Sequence, residues 1–421
     1  MRLLIRGGLV IDTETSTVLP HTDVLVDDGV ITAVGTELRA EDAEVVDATD
    51  RIVLPGFVDT HRHVWQTALR GIATDVDLGG YLDLVLGRHG SRHEPEHVAI
   101  ATLAGALECL DSGITTVQDF AHIQHTPAHT DAAVAGLRAA GIRAVFGYGA
   151  PLFAPAMADD AWAAELGRVR AEHVGGLVTM ALAAAGPSYS SPATVRRDWR
   201  LAAELDVPIA THIGASPTAA RPIDLLRSLN LLRANTLYVH GNSLADDELA
   251  MIADSGAAMS IAPAVEALMG HGAPTVNRLR SASVRTGLGV DVVTSTAGDM
   301  FSLMRATLLT SQLGPGPAST AADVLRMATV DGAAALGLAD RTGSLRPGRQ
   351  ADIVLLDATA PNLVGMHDPV ATVVISAHPG NVDTVLVAGE VVKRAGRLLR
   401  SDLAEITEEI TRTAGFFAAS R

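Results

Sequence analysis

Along the chain, the pattern of apolar and polar positions changes rhythm twice. Within residues 1–55, "RLLIRGGLVI", "HTDVLVDDGVITAVG" and "AEVVDATDRIVLPG" alternate apolar with polar residues between Gly and Asp turns, the period of half-buried strands. The same texture returns in "GSLRPGRQADIVLLD" and "VDTVLVAGEVVKRAGRLL", the second turning at Ala388-Gly389. Between these ends, short apolar runs alternate with Ala- and Leu-rich amphipathic stretches, which predicts βα units on a parallel sheet. Eight strands are expected at "FVDTHRH", "GITTVQDF", "GIRAVFGYG", "LVTMALAAAG", "VPIATHIG", "TLYVHGN", "AAMSIAP" and "VRTGLGVDV". Helices are expected over 95–112, 130–140, 158–173, 191–205, 222–232, 244–254 and 299–311. Eight such units predict an α/β fold of the (β/α)8 TIM-barrel type over 56–344. A doubly wound open sheet is the alternative, and no Gly-rich phosphate fingerprint follows any strand to support it. Residues 1–55 and 345–398 are expected to pair into one small β-sandwich domain, followed by a helical tail over 399–421.

The polar and titratable residues gather where the predicted strands end. His61 and His63 end the first, Asp119 and His122 follow the second, and Tyr148 ends the third. Ser188 and Tyr189 follow the fourth, His212 closes the fifth, His240 the sixth, Glu266 follows the seventh, and Asp291 closes the eighth. In a (β/α)8 barrel these ends share one face, where active sites lie. His61 and His63 are two apart on a strand, so both imidazoles leave on one side, a poor arrangement unless a cation stands between them. With His212 and Asp291 they form three neutral nitrogens and one carboxylate, a set suited to one divalent metal, Zn2+ first and Fe2+ as the alternative.

Composition narrows the partners. A formal net charge of -16 and the lack of a Lys/Arg cluster speak against nucleic acid and anionic membranes, and the longest apolar run, "LVTMALAAAG", is too short to span a bilayer. The start "MRLLIRGGLVID" lacks a signal-peptide core, so a cytoplasmic location and a small-molecule substrate are expected. The single cysteine, Cys109, excludes an internal disulfide and reads as a buried thiol.

The segments "LPGFVDTHRH", "ECLDSGITTVQDF", "ATHIG", "VHGN", "LGVD" and "ATVDGAAALGLADRTGSLRPGRQADIVLLD" together resemble the amidohydrolase superfamily. The resemblance points to the branch that holds guanine, cytosine and S-adenosylhomocysteine deaminases and the s-triazine hydrolases. It implies a barrel set into a sandwich built from both termini, metal ligands at His61, His63, His212 and Asp291, and a His240 that hydrogen-bonds the attacking water or a substrate oxygen. Binuclear members bridge two metals with a lysine on the fourth strand. The only lysine here, Lys393, lies in a C-terminal strand, so a mononuclear site is expected. Asp291 is then the general base. Relatives commonly form dimers, which implies a homodimer.

One departure qualifies the activity. Related deaminases place a glutamate three residues after the fifth-strand histidine, where it protonates the ring under attack, and here that position is Ala215. Glu266 is the expected replacement acid, with His271 of the same loop as a further candidate. Trp65, Gln66, His122, Tyr148, Tyr189 and His271 are expected to bind substrate, and Arg70 to be structural. His89, His93 and His97 form a row interrupted by Gly90 and Pro95 and read as solvated. The expected function is metal-dependent hydrolysis of a C–N bond in a small cyclic nitrogen compound, a deaminase first. The alternatives are a cyclic amide or imine hydrolase, a lyase or isomerase on the same metal, and a non-catalytic relative of the barrel.

Overall fold

The alternation at the two ends of the chain becomes one continuous sheet. The computed structural model describes residues 2–153, 158–215 and 220–419. Strands Arg2–Asp12, Thr17–Asp27, Val30–Gly35, Glu44–Asp47 and Arg51–Pro55 come from one end, and Ile353–Asp357, Val382–Val387, Glu390–Arg394 and Arg397–Leu398 from the other. They join where Arg51–Pro55 runs antiparallel to Ile353–Asp357, with Leu54 opposite Val354. The two-residue period of a strand then divides its side chains between two cores. Val53, Ile353, Leu355 and Leu386 close a small core within the sheet, whereas Ile52, Leu54, Val354 and Leu356 belong to the large core shared with the barrel. The expected sandwich is therefore a single hydrogen-bonded sheet wrapped around its own apolar interior.

Between these segments, eight parallel strands pair in chain order: Phe57–Arg62, Ile114–Ala121, Arg143–Tyr148, Val178–Ala184, Ile209–Ile213, Thr236–His240, Ala258–Ile261 and Arg285–Leu288. Each falls in a segment read as a strand from the sequence. The first and eighth meet through backbone bonds from Asp291 N to His61 O (2.8 Å) and from His63 N to Asp291 O (2.9 Å). Gly289 makes this approach possible, since a Cβ there would lie 2.7 Å from the Cβ of His61. Helices Pro95–Asp111, Pro127–Ala140, Asp159–Glu172, Pro192–Glu204, Pro222–Ser228, Asp246–Ser255 and Met300–Ser311 cover the outside, four of them opening on proline, which fits the first helical position. Short helices Ala321–Met327, Val330–Ala335 and Pro369–Ile375 have no counterpart among the expected elements. A buried bidentate pair, Arg143 Nε and Nη2 to Asp352 (2.7 and 2.9 Å), fastens the third barrel strand to the terminal sheet. No helix of the described residues is long and apolar enough to cross a membrane.

The last helix, Leu403–Ala418, corrects the reading of the histidine row. His89 and His93 are buried, not solvated. The His93 ring stacks on Phe417 at 4.4 Å between centroids, His97 stacks on Phe416 at 4.7 Å, and the Arg92 guanidinium lies 4.7 Å from the Phe416 ring. Backbone carbonyls accept from the imidazoles: His93 Nδ1 to His89 O (2.9 Å), His125 Nε2 to Gly90 O (3.2 Å) and His129 Nε2 to His93 O (2.9 Å). His93, bonded to a backbone carbonyl and covered by Phe417, packs as a core residue, and the buried His129 is likewise satisfied by backbone.

Candidate active site

At the C-terminal end of the barrel the strand-end side chains converge on one point. His61 Nε2 lies 3.2 Å from His212 Nε2 and 3.4 Å from Asp291 Oδ1, and His63 Nε2 lies 3.4 Å from the same oxygen. His240 Nε2 is 3.8 Å from Asp291 Oδ2. His63 Nδ1 donates to Phe120 O at 2.8 Å, which fixes the tautomer and leaves Nε2 as the inward lone pair. Burial, then the neighbouring imidazoles, hold His212 well below its ordinary pKa. Burial, then His122 and His61, do the same for His63, so both rings are neutral donors. For Asp291, burial raises the pKa, but the hydrogen bond and charge of His61 outweigh it and keep the group a carboxylate. The facing nitrogens of His61, His63 and His212, with the Asp291 carboxylate beside them, form a donor set that fits a divalent cation.

The backbone is arranged to aim these groups. His240 has φ of +79° and Asp291 of +67°, the left-handed region that side-chain-bearing residues seldom adopt. Such strain collects where a side chain must leave the ordinary alternation of its strand. Asp59 underpins the pair, accepting from His61 N (3.3 Å) and Val290 N (3.0 Å), and burial pushes its carboxyl up to about 7. Only its backbone contacts reveal it, since a carboxylate two residues before a His-x-His carries no separate signal in the sequence.

A cavity of about 260 Å³ opens over the donors, bordered by His63, His212, His240 and Asp291. His122, Tyr189 and His271 line it as expected positions in space. His122 Nδ1 donates to Phe120 O (3.2 Å), with its ring 4.4 Å from that of His63. His271 is buried with both ring nitrogens unpartnered among the described residues, and burial, then His240, bring its pKa down to about 3. Leu78, Leu82, Leu86 and Met269, residues whose type gives no chemical signal in a sequence, form an apolar part of the wall, and Tyr81, Thr194, Arg197 and Asp198, which the sequence reading did not select, also border the cavity.

Four expected residues lie elsewhere. Trp65 is fully buried, edge-on to His93 at 4.8 Å, because the helical turn Val64–Leu69 carries it away from the cavity. Gln66 lies behind Tyr81, donating to its hydroxyl at 2.6 Å, and Tyr81 takes the cavity position. Tyr148 points to the helical layer and packs on Trp162 at 5.1 Å. Glu266 is buried off the cavity, its Oε1 3.3 Å from His240 Nδ1, so it reaches His240 rather than a substrate ring. Arg70 pairs with Glu108 (2.8 Å) outside the cavity, and Lys393 of the terminal sheet bonds Asp111 at the end of the helix Pro95–Asp111. Ala215 does line the cavity and presents only a methyl group.

A parallel barrel with a histidine and carboxylate donor set at its C-terminal mouth defines a hydrolase built to work through a metal. The amidohydrolase family model matches residues 52–392. The chain belongs to the amidohydrolase family, and it is a hydrolase acting on carbon–nitrogen bonds. A 5-methylthioadenosine/S-adenosylhomocysteine deaminase from Nitratidesulfovibrio vulgaris is 31% identical over 95% of this chain and 94% of that protein. The crystal structure of a zinc-bound adenosine deaminase from Xanthomonas campestris superposes with a TM-score of 0.91 at 28% identity, covering 99% of this chain and 98% of that one. Zinc-bound atrazine chlorohydrolase from Arthrobacter aurescens gives 0.88 at 25% identity over 98% and 100%.

Proposed function

We propose that this chain is a mononuclear deaminase, holding one zinc ion, with iron(II) as the alternative, among His61, His63, His212 and Asp291, and releasing ammonia from an amino-substituted heterocycle. The convergence of these four side chains beneath a single cavity carries the reading. The named deaminases among its relatives support it, and the location of Lys393 in the terminal sheet supports one ion rather than two. A divalent ion in this donor set supplies the Lewis acidity that brings deprotonation of water within reach of neutral pH. Asp291 has Oδ2 turned to His240, which equips it to take the proton of the attacking water and pass it to the departing nitrogen. His240 hydrogen-bonds the water or the oxygen that the product gains. His271, with both ring nitrogens unpartnered, offers the heterocycle a hydrogen bond, and His122 and Tyr189 border it. The protein works as a homodimer in the cytoplasm in this reading.

The test is ammonia release by the zinc-loaded chain from a panel of aminopurine nucleosides and aminotriazines. Stoichiometric ammonia from one of them is the expected result. A second reading, hydrolysis of a cyclic amide or imine, is favoured by Ala215, which gives the cavity no acid where deaminases of the branch carry one. Ring opening without ammonia would replace the first reading by the second.

A further inference from the structure

Glu266 is a buried carboxylate that the chemistry above does not use. It sits on the helix Pro263–Leu268 after the seventh barrel strand and is 2% exposed. Its Oε1 accepts from Ala262 N (2.7 Å) and faces His240 Nδ1 (3.3 Å), and its Oε2 accepts from Asn242 Nδ2 (3.3 Å). Among the described residues, no arginine or lysine pairs with it, and its basic neighbour is the imidazole of His240. Burying a carboxylate without a permanent cation is costly, so its place directly behind His240 calls for an account. The ring of His240 has two nitrogens, and the strained backbone at this residue turns one of them to Asp291. Which nitrogen bears the proton depends on what the other meets.

We propose that Glu266 is a positioning residue for His240: by accepting a hydrogen bond from Nδ1–H it holds the ring in one tautomer and orientation, with Nε2 presented to Asp291 and the cavity. Glu266 acts through His240 and touches no substrate. The role needs an acceptor at Oε1 and needs no proton from Glu266. The inference deepens the hydrolase reading of this site and rests on it only for its kinetic arm.

Two variants separate the acceptor from the acid. Glu266→Gln keeps a carbonyl oxygen where Oε1 stands, while Glu266→Met removes it at similar volume. The zinc-loaded full chain, labelled with 15N-histidine and assigned against His240→Gln, is expected to show the proton on Nδ1 of His240 in the parent and in Glu266→Gln. In Glu266→Met that proton is expected to be lost from Nδ1, with zinc content unchanged. On a substrate that the parent turns over, Glu266→Met should lose about 100-fold in kcat, the scale of a misplaced catalytic group, with KM within about threefold, and Glu266→Gln should stay within about tenfold of the parent. A parent His240 without a proton on Nδ1 overturns the proposal, as does a Met variant with parental spectrum and kcat. If Glu266→Met does not fold, the Gln variant decides alone: a kcat loss beyond about 100-fold there means that the charge or proton of Glu266 matters, and the positioning role is rejected. The spectra need only zinc, so they stand whatever the substrate proves to be.

Discussion

Two groups of histidines sit within one molecule and do opposite things. At the barrel mouth, His61, His63 and His212 turn their nitrogens toward one another and toward Asp291. Under the C-terminal helix, His93, His125 and His129 give theirs to backbone carbonyls, and His93 and His97 lay their faces on Phe417 and Phe416. Both groups are largely buried and both draw on spacings that look suggestive in a sequence. What separates them is what the ring nitrogens beyond the backbone contact face. Under the helix, the rings behave as flat fillers with one satisfied donor. At the mouth, His63 Nδ1 likewise donates to Phe120 O, but the Nε2 atoms of His61, His63 and His212 face one another and Asp291 and remain available to a cation.

Removing one ring from each group is the strongest test of that contrast. His61 belongs to both donor triads, so His61→Ala should reduce zinc per chain, measured by elemental analysis, from one to near none, and activity to background. His129→Gln should leave both unchanged. Zinc retained in the first or lost in the second would dissolve the distinction. Next in size is Phe417→Ala, which uncovers His93 and should cost about 3 kcal/mol by urea unfolding, as for other buried phenylalanines. A cost below about 1 kcal/mol would mean that the helix does not seal this group.

Acid should follow with a smaller effect. Burial brings His93 down to about 3 from an ordinary 6.5. Between those values the unfolded chain binds a proton that the native one refuses. Its contribution is therefore complete above pH 6.5 and is lost as pH falls toward 3, on the order of 2 kcal/mol by pH 5. His93→Phe should flatten that acid limb when both proteins are saturated with zinc, and an unchanged limb would show that His93 does not titrate as placed. The smallest effect belongs to His122, which shares features of both groups: its Nδ1 is satisfied by Phe120 O, yet it lines the cavity. His122→Asn should keep the zinc and raise KM about fivefold, equivalent to about 1 kcal/mol. Loss of zinc instead would move His122 into the metal group.

The sequence announces the donors because they combine a fixed spacing with a fixed place, the ends of strands whose apolar runs are unmistakable. It announces the sheet of the two ends through strict alternation. It does not announce on which side of a strand or turn a neighbouring residue falls. Val145 shares an inner cluster with Ala181, so alternation sends Tyr148, three residues on, to the outer layer. Leu237 faces in and Tyr238 out, and the same alternation would turn His240 outward; its positive φ reverses this. That reversal is invisible in residue order, since the chain carries a histidine, not a glycine, at the left-handed position. Trp65 and Gln66 fail for a related reason, because the turn after His63 is helical and rotates them past the cavity. The solvated reading of His89 and His93 missed a cover supplied from some 320 residues further along, by Phe417.

The pairing of Leu54 with Val354 also has a temporal side. Strand Arg51–Pro55 leaves the ribosome with its outer edge open and must wait until roughly 300 more residues are made, which at ordinary elongation rates takes on the order of 15–60 s. Throughout that interval Ile52, Val53 and Leu54 form an apolar strand with no permanent neighbour on that side, the kind of template to which another nascent chain can add. The interval between synthesis of these two strands is thus the window in which chaperone supply and the rate of translation through the barrel bear on the yield of native protein.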